Sequence, residues 1–370
     1  MPRRWLVAAL ALVWIPAWGA DWTMYAGTYT SGASKGIYAF HFDDSTGKLT
    51  ILGLAVEMPN PSFLAMNPNG RFLYAANEET AGSVSAFSID AAKGTLKLLN
   101  RVSSRGAGPC HVALDKTGRW LFVANYNSGS VAAFPVHEGG TLGEASAFVQ
   151  HSGSSVNPQR QQGQHAHSVN VSPDNRFVLV ADLGLDEILT YRIDAAKGLD
   201  SAKPLLTKMA PGSGPRHMAF GPDGRFAYAI NEMLATVTVF QYDTASGSLR
   251  EAQTISTLPA GFKGANSSAE IAVHPSGKFV YASNRGHDSI TIFRVDAAKG
   301  VLIAAGYAST GGKTPRNFAI DPSGKFLLAA NQDSGNIVVF RIDQSTGGLT
   351  LAGLDVNVPS PVSIVFASAR

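Results

Sequence analysis

Apolar and small residues alternate through 214–232, GPRHMAFGPDGRFAYAINE, where Met218, Phe220, Phe226, Tyr228 and Ile230 take every second position around a Pro-Asp-Gly turn. A period of two on both sides of such a turn predicts a hairpin of two part-buried strands. The hairpin recurs. Its turn and second strand return as PNGRFLYAAN (68–77), KTGRWLFVAN (116–125), PDNRFVLVAD (173–182), PSGKFVYASN (275–284) and PSGKFLLAAN (322–331), making six copies. The strand before the turn has seven: PSFLAM, PCHVAL, AHSVNV, PRHMAF, SAEIAV, PRNFAI and PVSIVF. A third strand, from GIYAFHFD to IVVFRID, and a fourth after a Gly-Leu or Gly-x-Leu turn, as in GKLTILG and GTLKLLN, also number seven each.

The second strand missing from this count lies at the other end of the chain, as WTMYAGTY (22–29). The repeat therefore starts inside a unit and ends, at Pro361, on the first strand of that same unit. First strands run from Pro61 to Pro361 in six steps, a mean of 50 residues. Four-stranded units of that period are propeller blades. The expected fold is all-β: a seven-bladed β-propeller of four-stranded antiparallel blades, its ring closed by the N- and C-terminal strands in one blade. Residues 21–370 are expected to form this one domain.

The first twenty residues follow a different pattern. Arg3-Arg4 precede an unbroken apolar run, Trp5 to Ile15, and the small residues Ala17, Gly19 and Ala20 follow. This is the layout of a cleaved secretory signal, so 1–20 are expected to be removed and the mature chain to be periplasmic or secreted. Loss of Arg3 and Arg4 takes the formal charge from +3 to 28 basic against 27 acidic residues. Such a balance leaves no footprint for nucleic acid. Cys110 is the only cysteine, so no intrachain disulfide can form. A monomer without a membrane span is expected after cleavage.

Polar residues interrupt the apolar rule in one place. The third position of the seven first strands holds Phe63, His111, Ser168, His217, Glu270, Asn317 and Ser363, preceded by Ser62, Cys110, His167, Arg216, Ala269, Arg316 and Val362. First strands are innermost in a propeller, so these residues ring the mouth of its channel. Glu78, Tyr126, Leu183, Glu232, Arg285 and Gln332 follow the second strands and rim the same mouth. The recurrent Asn at 77, 125, 231, 284 and 331 reads as turn chemistry. Glu78, His111, His165, His167, Arg216, His217, Glu232, Glu270, Arg285 and Arg316 remain as candidates for a central polar pocket. His217 adjoins Arg216, so it faces the opposite way unless the strand bulges. Two first-strand steps are long, 57 residues into His167 and 53 into Glu270, and the extra residues (HSGSSVNPQRQQGQ and LPAGFKGANSS) are expected to wall the pocket.

NPSFLAMNPNGRFLYAANE, HAHSVNVSPDNRFVLVADLGLDEI, GPRHMAFGPDGRFAYAINE and YASNRGHDSI resemble the seven-bladed propeller lactonases, which include propeller-type 6-phosphogluconolactonases and carboxymuconate-lactonizing enzymes. The resemblance covers essentially all of 21–370. It implies hydrolysis or closure of a lactone ring without a metal, with His167, Arg216, Glu232 and Arg285 as the catalytic set. An exported address departs from that pattern, because phosphorylated sugar lactones are cytoplasmic metabolites.

Opening a lactone requires a deprotonated water, a polarised carbonyl and a protonated leaving oxygen. Glu232 or His167 can supply the base, and Arg216 and Arg285 the forked positive charge for an oxyanion, carboxylate or phosphate. Glu78, His111, His165, His217, Glu270 and Arg316 are expected to contact a small lactone substrate, with no cofactor. No GxSxG elbow is present, which favours direct attack by water. Three rivals predict different things. A metal lactonase would use His165 and His167 as ligands, a muconate-type cycloisomerase would run the chemistry in reverse, and a non-catalytic binding propeller would carry aromatic anchors at its mouth.

Overall fold

The turns between first and second strands each need one residue in the left-handed region. Gly70, Gly118, Gly224, Gly277 and Gly324 fill it in five blades and Asn175 in the sixth, at φ from 58° to 73°. The basic residue after the turn lies across the ring that follows it, with Arg71 5.5 Å from Phe72 and Arg225 5.3 Å from Phe226. Local chemistry alone thus sets the hairpins.

The computed structural model describes residues 21–90, 93–353 and 355–368; the expected leader, 1–20, lies outside them. Among the described residues there are strands and no helix. Seven antiparallel sheets stand in a ring, each running from an inner strand outward. The inner strands of blades 1 to 7 are Pro61–Met66, Pro109–Leu114, Ala166–Val171, Pro215–Phe220, Ser267–Val273, Pro315–Ile320 and Pro361–Ser368. Blade 7 is completed from both ends of the chain: Asp21–Thr28 pairs with Pro361–Ser368 on one side and Gly36–Asp43 on the other. The fourth strand is broken in two blades, into Gly198–Leu199 and Leu205–Lys208 in blade 3 and into Leu349–Leu351 and Val356–Asn357 in blade 6.

Among the described residues the apolar core divides into seven clusters, one between each pair of neighbouring blades. The second strand Phe326–Asn331 shows why. Phe326, Leu328 and Ala330 pack on Met24, Phe40 and Phe42 of blade 7, while Leu327 and Ala329 pack on Phe279 and Tyr281 of blade 5. Both faces are covered, so this second strand is buried at every position and reads as a nearly continuous apolar run. Each fully buried Phe or Leu contributes roughly 1.5–3 kcal/mol, so blade stacking supplies most of the cohesion.

The recurrent Asn has a role different from turn chemistry. It sits buried at the end of the second strand, and in four blades its side-chain amide holds the connection arriving from the preceding blade, whereas Asn231 Nδ2 donates to the Thr236 and Thr238 hydroxyls (both 2.9 Å) of its own blade. Asn77 Nδ2 donates to the Pro59 carbonyl (2.8 Å), Asn125 to Ser104 (3.0 Å), Asn284 to Thr257 (3.0 Å) and Asn331 to Thr310 (3.1 Å). In blade 3 Asp182 takes that place and accepts from His151 Nδ1 (2.6 Å), whose Nε2 meets the Tyr191 hydroxyl (3.0 Å). These ties fix the loops on the face where the polar residues gather.

Candidate active site

Every inner strand bulges at its start. Pro215 stands opposite Asn231 and His217 opposite Ile230, leaving Arg216 without a partner on the second strand. The same slip isolates Ser62, Cys110, His167 and Arg316, and blade 5 slips between Ser268 and Ile271. A bulge lets two successive residues turn to one side. Arg216 and His217 both enter the channel, which strict alternation forbids: the Arg216 guanidinium contacts His217 Nε2 at 3.3 Å.

The two columns then separate by depth. Three bulged residues (Cys110, His167 and Arg316) join Glu78, Tyr126, Glu232 and Arg285 from the second-strand ends, with Arg160 and Ser267, to line a cavity of about 330 Å³ at the channel mouth. Below it the third-position residues hold the inner strands to one another. Ser363 Oγ accepts from the Leu64 amide (3.1 Å), and Asn317 Oδ1 from the Ile364 amide (2.9 Å). Asn317 Nδ2 donates to Glu270, whose other oxygen accepts from His217 Nδ1 (3.0 Å). His111 stacks on Phe63 (4.0 Å) and receives the Val169 amide (3.4 Å).

Of the residues expected to touch substrate, Glu78 and Arg316 therefore line the cavity, while His111, His217 and Glu270 form its floor network. His165 lies behind the wall, stacked on Tyr126 (4.5 Å) with Nδ1 on the Tyr126 carbonyl (3.0 Å). His167 meets the same Tyr126 ring edge-on (5.3 Å), so the two histidines share Tyr126 but only His167 lines the cavity. Among the described residues no group of three or more His, Cys, Asp and Glu is placed to hold a metal ion.

Glu232 is the centre of charge. Oε2 receives Arg216 Nε (3.1 Å) and Arg285 Nη2 (3.0 Å), Oε1 receives Arg160 Nη2 (2.7 Å), and His167 Nε2 stands 4.0 Å from Oε2. Burial pushes the Glu232 carboxyl up, but Arg285, Arg216 and Arg160 outweigh it and hold the group down at about 2. His167 is held well below the usual imidazole value, first by burial and then by the charge of Arg216, with Arg316 adding to it. Neutral imidazole thus faces ionised carboxylate. Burial pushes the Cys110 thiol up, so it stays protonated beside His167 rather than acting as a nucleophile.

Arg160 was not among the candidates. It comes from the long connection into blade 3, and no column of the repeat contains it. Its signal was a single basic residue in a polar insertion already expected to wall the pocket. Asn157 Oδ1 accepts the Gln159 and Arg160 amides (2.9 and 3.0 Å), and buried Gln161 pins the turn to the Leu183 carbonyl (2.8 Å). Leu183, expected at the rim, is fully buried. Gly286 follows Arg285 at φ 112°, where a Cβ would lie 2.3 Å from the Ala265 carbonyl, so only glycine lets the strand end turn there.

A propeller whose channel mouth assembles a neutral histidine, an ionised glutamate and a cluster of arginines has the equipment of a ring-opening hydrolase. The chain belongs to the seven-bladed β-propeller lactonase family: the model described as "Lactonase, 7-bladed beta-propeller" matches residues 23–366. It is similar to the 6-phosphogluconolactonase of Bacillus subtilis, at 38% identity over 79% of this chain and 83% of that protein. Among solved structures it resembles a putative 6-phosphogluconolactonase of Bacteroides fragilis (42% identity, TM-score 0.88, covering 94% and 98%). It also resembles the periplasmic gluconolactonase PpgL of Pseudomonas aeruginosa (36%, TM-score 0.90, covering 95% and 100%). With relatives so named over most of its length, the chain is a lactone hydrolase.

Proposed function

We propose that this protein hydrolyses a sugar-type lactone, of the class opened by 6-phosphogluconolactonases and gluconolactonases, by direct attack of water. The observation that carries the reading is Glu232, gathered by Arg160, Arg216 and Arg285 and 4.0 Å from His167 at the wall of a cavity large enough for one sugar. Of the two candidate bases, His167 fits the role. A carboxylate held at about 2 by three guanidiniums has little affinity for a proton, whereas the neutral imidazole has an open Nε2 beside it.

His167 Nε2 takes a proton from water as the oxygen bonds to the lactone carbonyl carbon, and the carbonyl electrons move onto oxygen. Arg285, which lines the cavity, stabilises that oxyanion; Glu232 stabilises the imidazolium and anchors the arginines. When the intermediate collapses, the ring C–O bond breaks and the imidazolium protonates the departing alkoxide. The product is a hydroxy acid, which releases one proton to solvent. No step calls on a metal or cofactor.

We further propose that residues 1–20 are a cleaved leader, that 21–370 act as one monomeric domain, and that the enzyme works outside the cytoplasm. The leader pattern supports this, as does the similarity to a periplasmic gluconolactonase. Among the described residues no helix is long and apolar enough to cross a membrane. The test is a proton-release screen of purified 21–370 against sugar, phosphosugar and aliphatic lactones, with and without chelator. Turnover of a sugar lactone unaffected by chelation is the expected result. Activity lost with a stoichiometric metal would restore the metal-lactonase reading.

A further inference from the structure

We infer that Arg316 is the substrate-charge selector of this lactonase, a guanidinium reserved for an anionic group, phosphate or carboxylate, on the substrate's tail. The inference rests on the lactonase reading above and assigns a role that the catalytic cluster leaves open.

The arginines at the mouth are not equivalent. Arg216 spends Nε on Glu232 and Nη1 on the Ala269 carbonyl (2.7 Å) and His217. Arg285 is held by Glu232, by Ser267 Oγ (2.6 Å) and by the Ser267 and Ser268 carbonyls (both 3.1 Å). Arg160 bonds Glu232 and the Tyr126 hydroxyl (3.2 Å). Arg316 alone of the four has, among the described residues, neither a hydrogen bond nor an ion pair. It lies over the ring of Tyr29, 5.2 Å from its centroid, and Tyr29 is fixed by its hydroxyl to Glu78 Oε2 (2.9 Å). Stacking holds the plane of a guanidinium and leaves its edge, where all five N–H donors lie, unspent. That edge is matched to the paired oxygens of a carboxylate or phosphate.

Charge balance points the same way. Arg160, Arg285 and Arg316 line the cavity with Arg216 directly behind Glu232, against the two carboxylates Glu78 and Glu232. Glu232 already answers three guanidiniums, and the three histidines nearby (His111, His167 and His217) are neutral. Glu78 and Glu232 support the Arg316 charge at longer range without pairing with it, so its donors stay open to the oxygens of a ligand. Arg316 and Glu232 stand on different inner-strand and rim positions of one cavity, so a lactone can present its carbonyl to one side and an anion to the other.

The experiment compares Arg316→Gln and Arg316→Lys with the unaltered protein on three lactones: neutral glucono-1,5-lactone, 6-phosphoglucono-1,5-lactone and the carboxylate-bearing glucaro-1,4-lactone. Binding of inorganic phosphate by calorimetry gives a readout that needs no turnover. Expected for Arg316→Gln is a fall in kcat/KM on a charged lactone of about 10²-fold, as loss of a charge-assisted pair implies, mainly through KM. The fall on the neutral lactone should be at least tenfold smaller, and phosphate binding should be lost. Arg316→Lys should restore part of the affinity, since it returns the charge without the fork. Whichever charged lactone shows the larger Arg316-dependent loss identifies phosphate or carboxylate as the partner. Equal losses on charged and neutral lactones, or undiminished phosphate binding, overturn the inference while leaving the lactonase reading intact. An unaltered protein that opens none of the three sinks that reading itself.

Discussion

Glu232 looks in sequence like a general base and in three dimensions like a counter-ion. Three guanidiniums hold it ionised, and it in turn holds them where burial works against their charge. Glu232→Gln keeps the shape and removes the charge. Steady-state kinetics on a responsive lactone should show kcat/KM falling by about 10² or more, and Tm should drop because the arginines lose their partner. Arg225→Lys is the control. Arg225 is exposed, pairs with Asp223 (2.7 Å) far from the cavity, and should leave both readouts unchanged. The pH dependence follows from two lowered values. Glu232, held at about 2 against an ordinary 4.5, contributes its full stabilisation above about pH 4.5 and loses it only as pH falls through about 2. His167 protonates only at a pH well below the ordinary 6.5, because burial and its charged neighbours oppose protonation. The acid limb of kcat/KM, which reports the free enzyme, should therefore lie below pH 6.5 in a pH-stat profile. A limb at or above 6.5 would remove His167 as the base.

Strands and loops decide which side chains reach the substrate. The bulge at the start of each inner strand turns successive residues toward the channel, and in blades 2, 3 and 6 the first of them reaches the pocket. The periodicity of the strand predicts that only one of them turns that way. The connection into blade 3 adds what no strand supplies, since it carries Arg160 across to Glu232, 72 residues away in sequence. That connection is shaped by Gln161, whose amide bonds the Leu183 carbonyl and the Asn157 amide in a fully buried site. Gln161→Ala should loosen the turn without removing Arg160, leaving buried groups unsatisfied at a cost of roughly 1–3 kcal/mol. KM should rise several-fold with a smaller change in kcat, and limited proteolysis should begin cutting within 153–160. An unaltered KM with the loop still resistant would show that strand-borne residues alone build the wall.

At the scale of the molecule, the ring makes the site, because no single blade holds more than a fragment of it. His167, Arg216 with Glu232, Arg285 and Arg316 belong to blades 3, 4, 5 and 6. The closing strand Pro361–Ser368 is locked on three sides. It pairs with Asp21–Thr28, receives the Leu64 amide on Ser363 and donates its Ile364 amide to Asn317. Deleting 361–370 would open the edge of Asp21–Thr28 and unseat Phe366 from its contact with Phe42 (5.5 Å). The truncated protein should aggregate on purification and lose activity together with fold, as seen by light scattering and circular dichroism. A soluble, active truncation would mean that the ring holds by blade stacking alone.

The amino-acid sequence by itself determined the blade. Alternation, the left-handed turn residue and the 50-residue period are local or repeated signals, and they specify four strands, seven times, with a shared last blade. It also showed that polar residues gather at one end of the hairpins, because register carries each column to the same height. Which of two adjacent polar residues faces the substrate was not legible, since strict alternation cannot anticipate a bulge repeated at the hub of the ring. That slip sent His167 and Arg316 to the cavity, and His111, His217 and Glu270 to the floor beneath it. Nor could the sequence apportion the charges. The low proton affinity of Glu232 is a sum over burial and three guanidiniums from separate segments, and the idle fork of Arg316 is visible only when the partners of the other three are known. Electrostatic roles depend on distances through space, and the closed ring alone sets those distances.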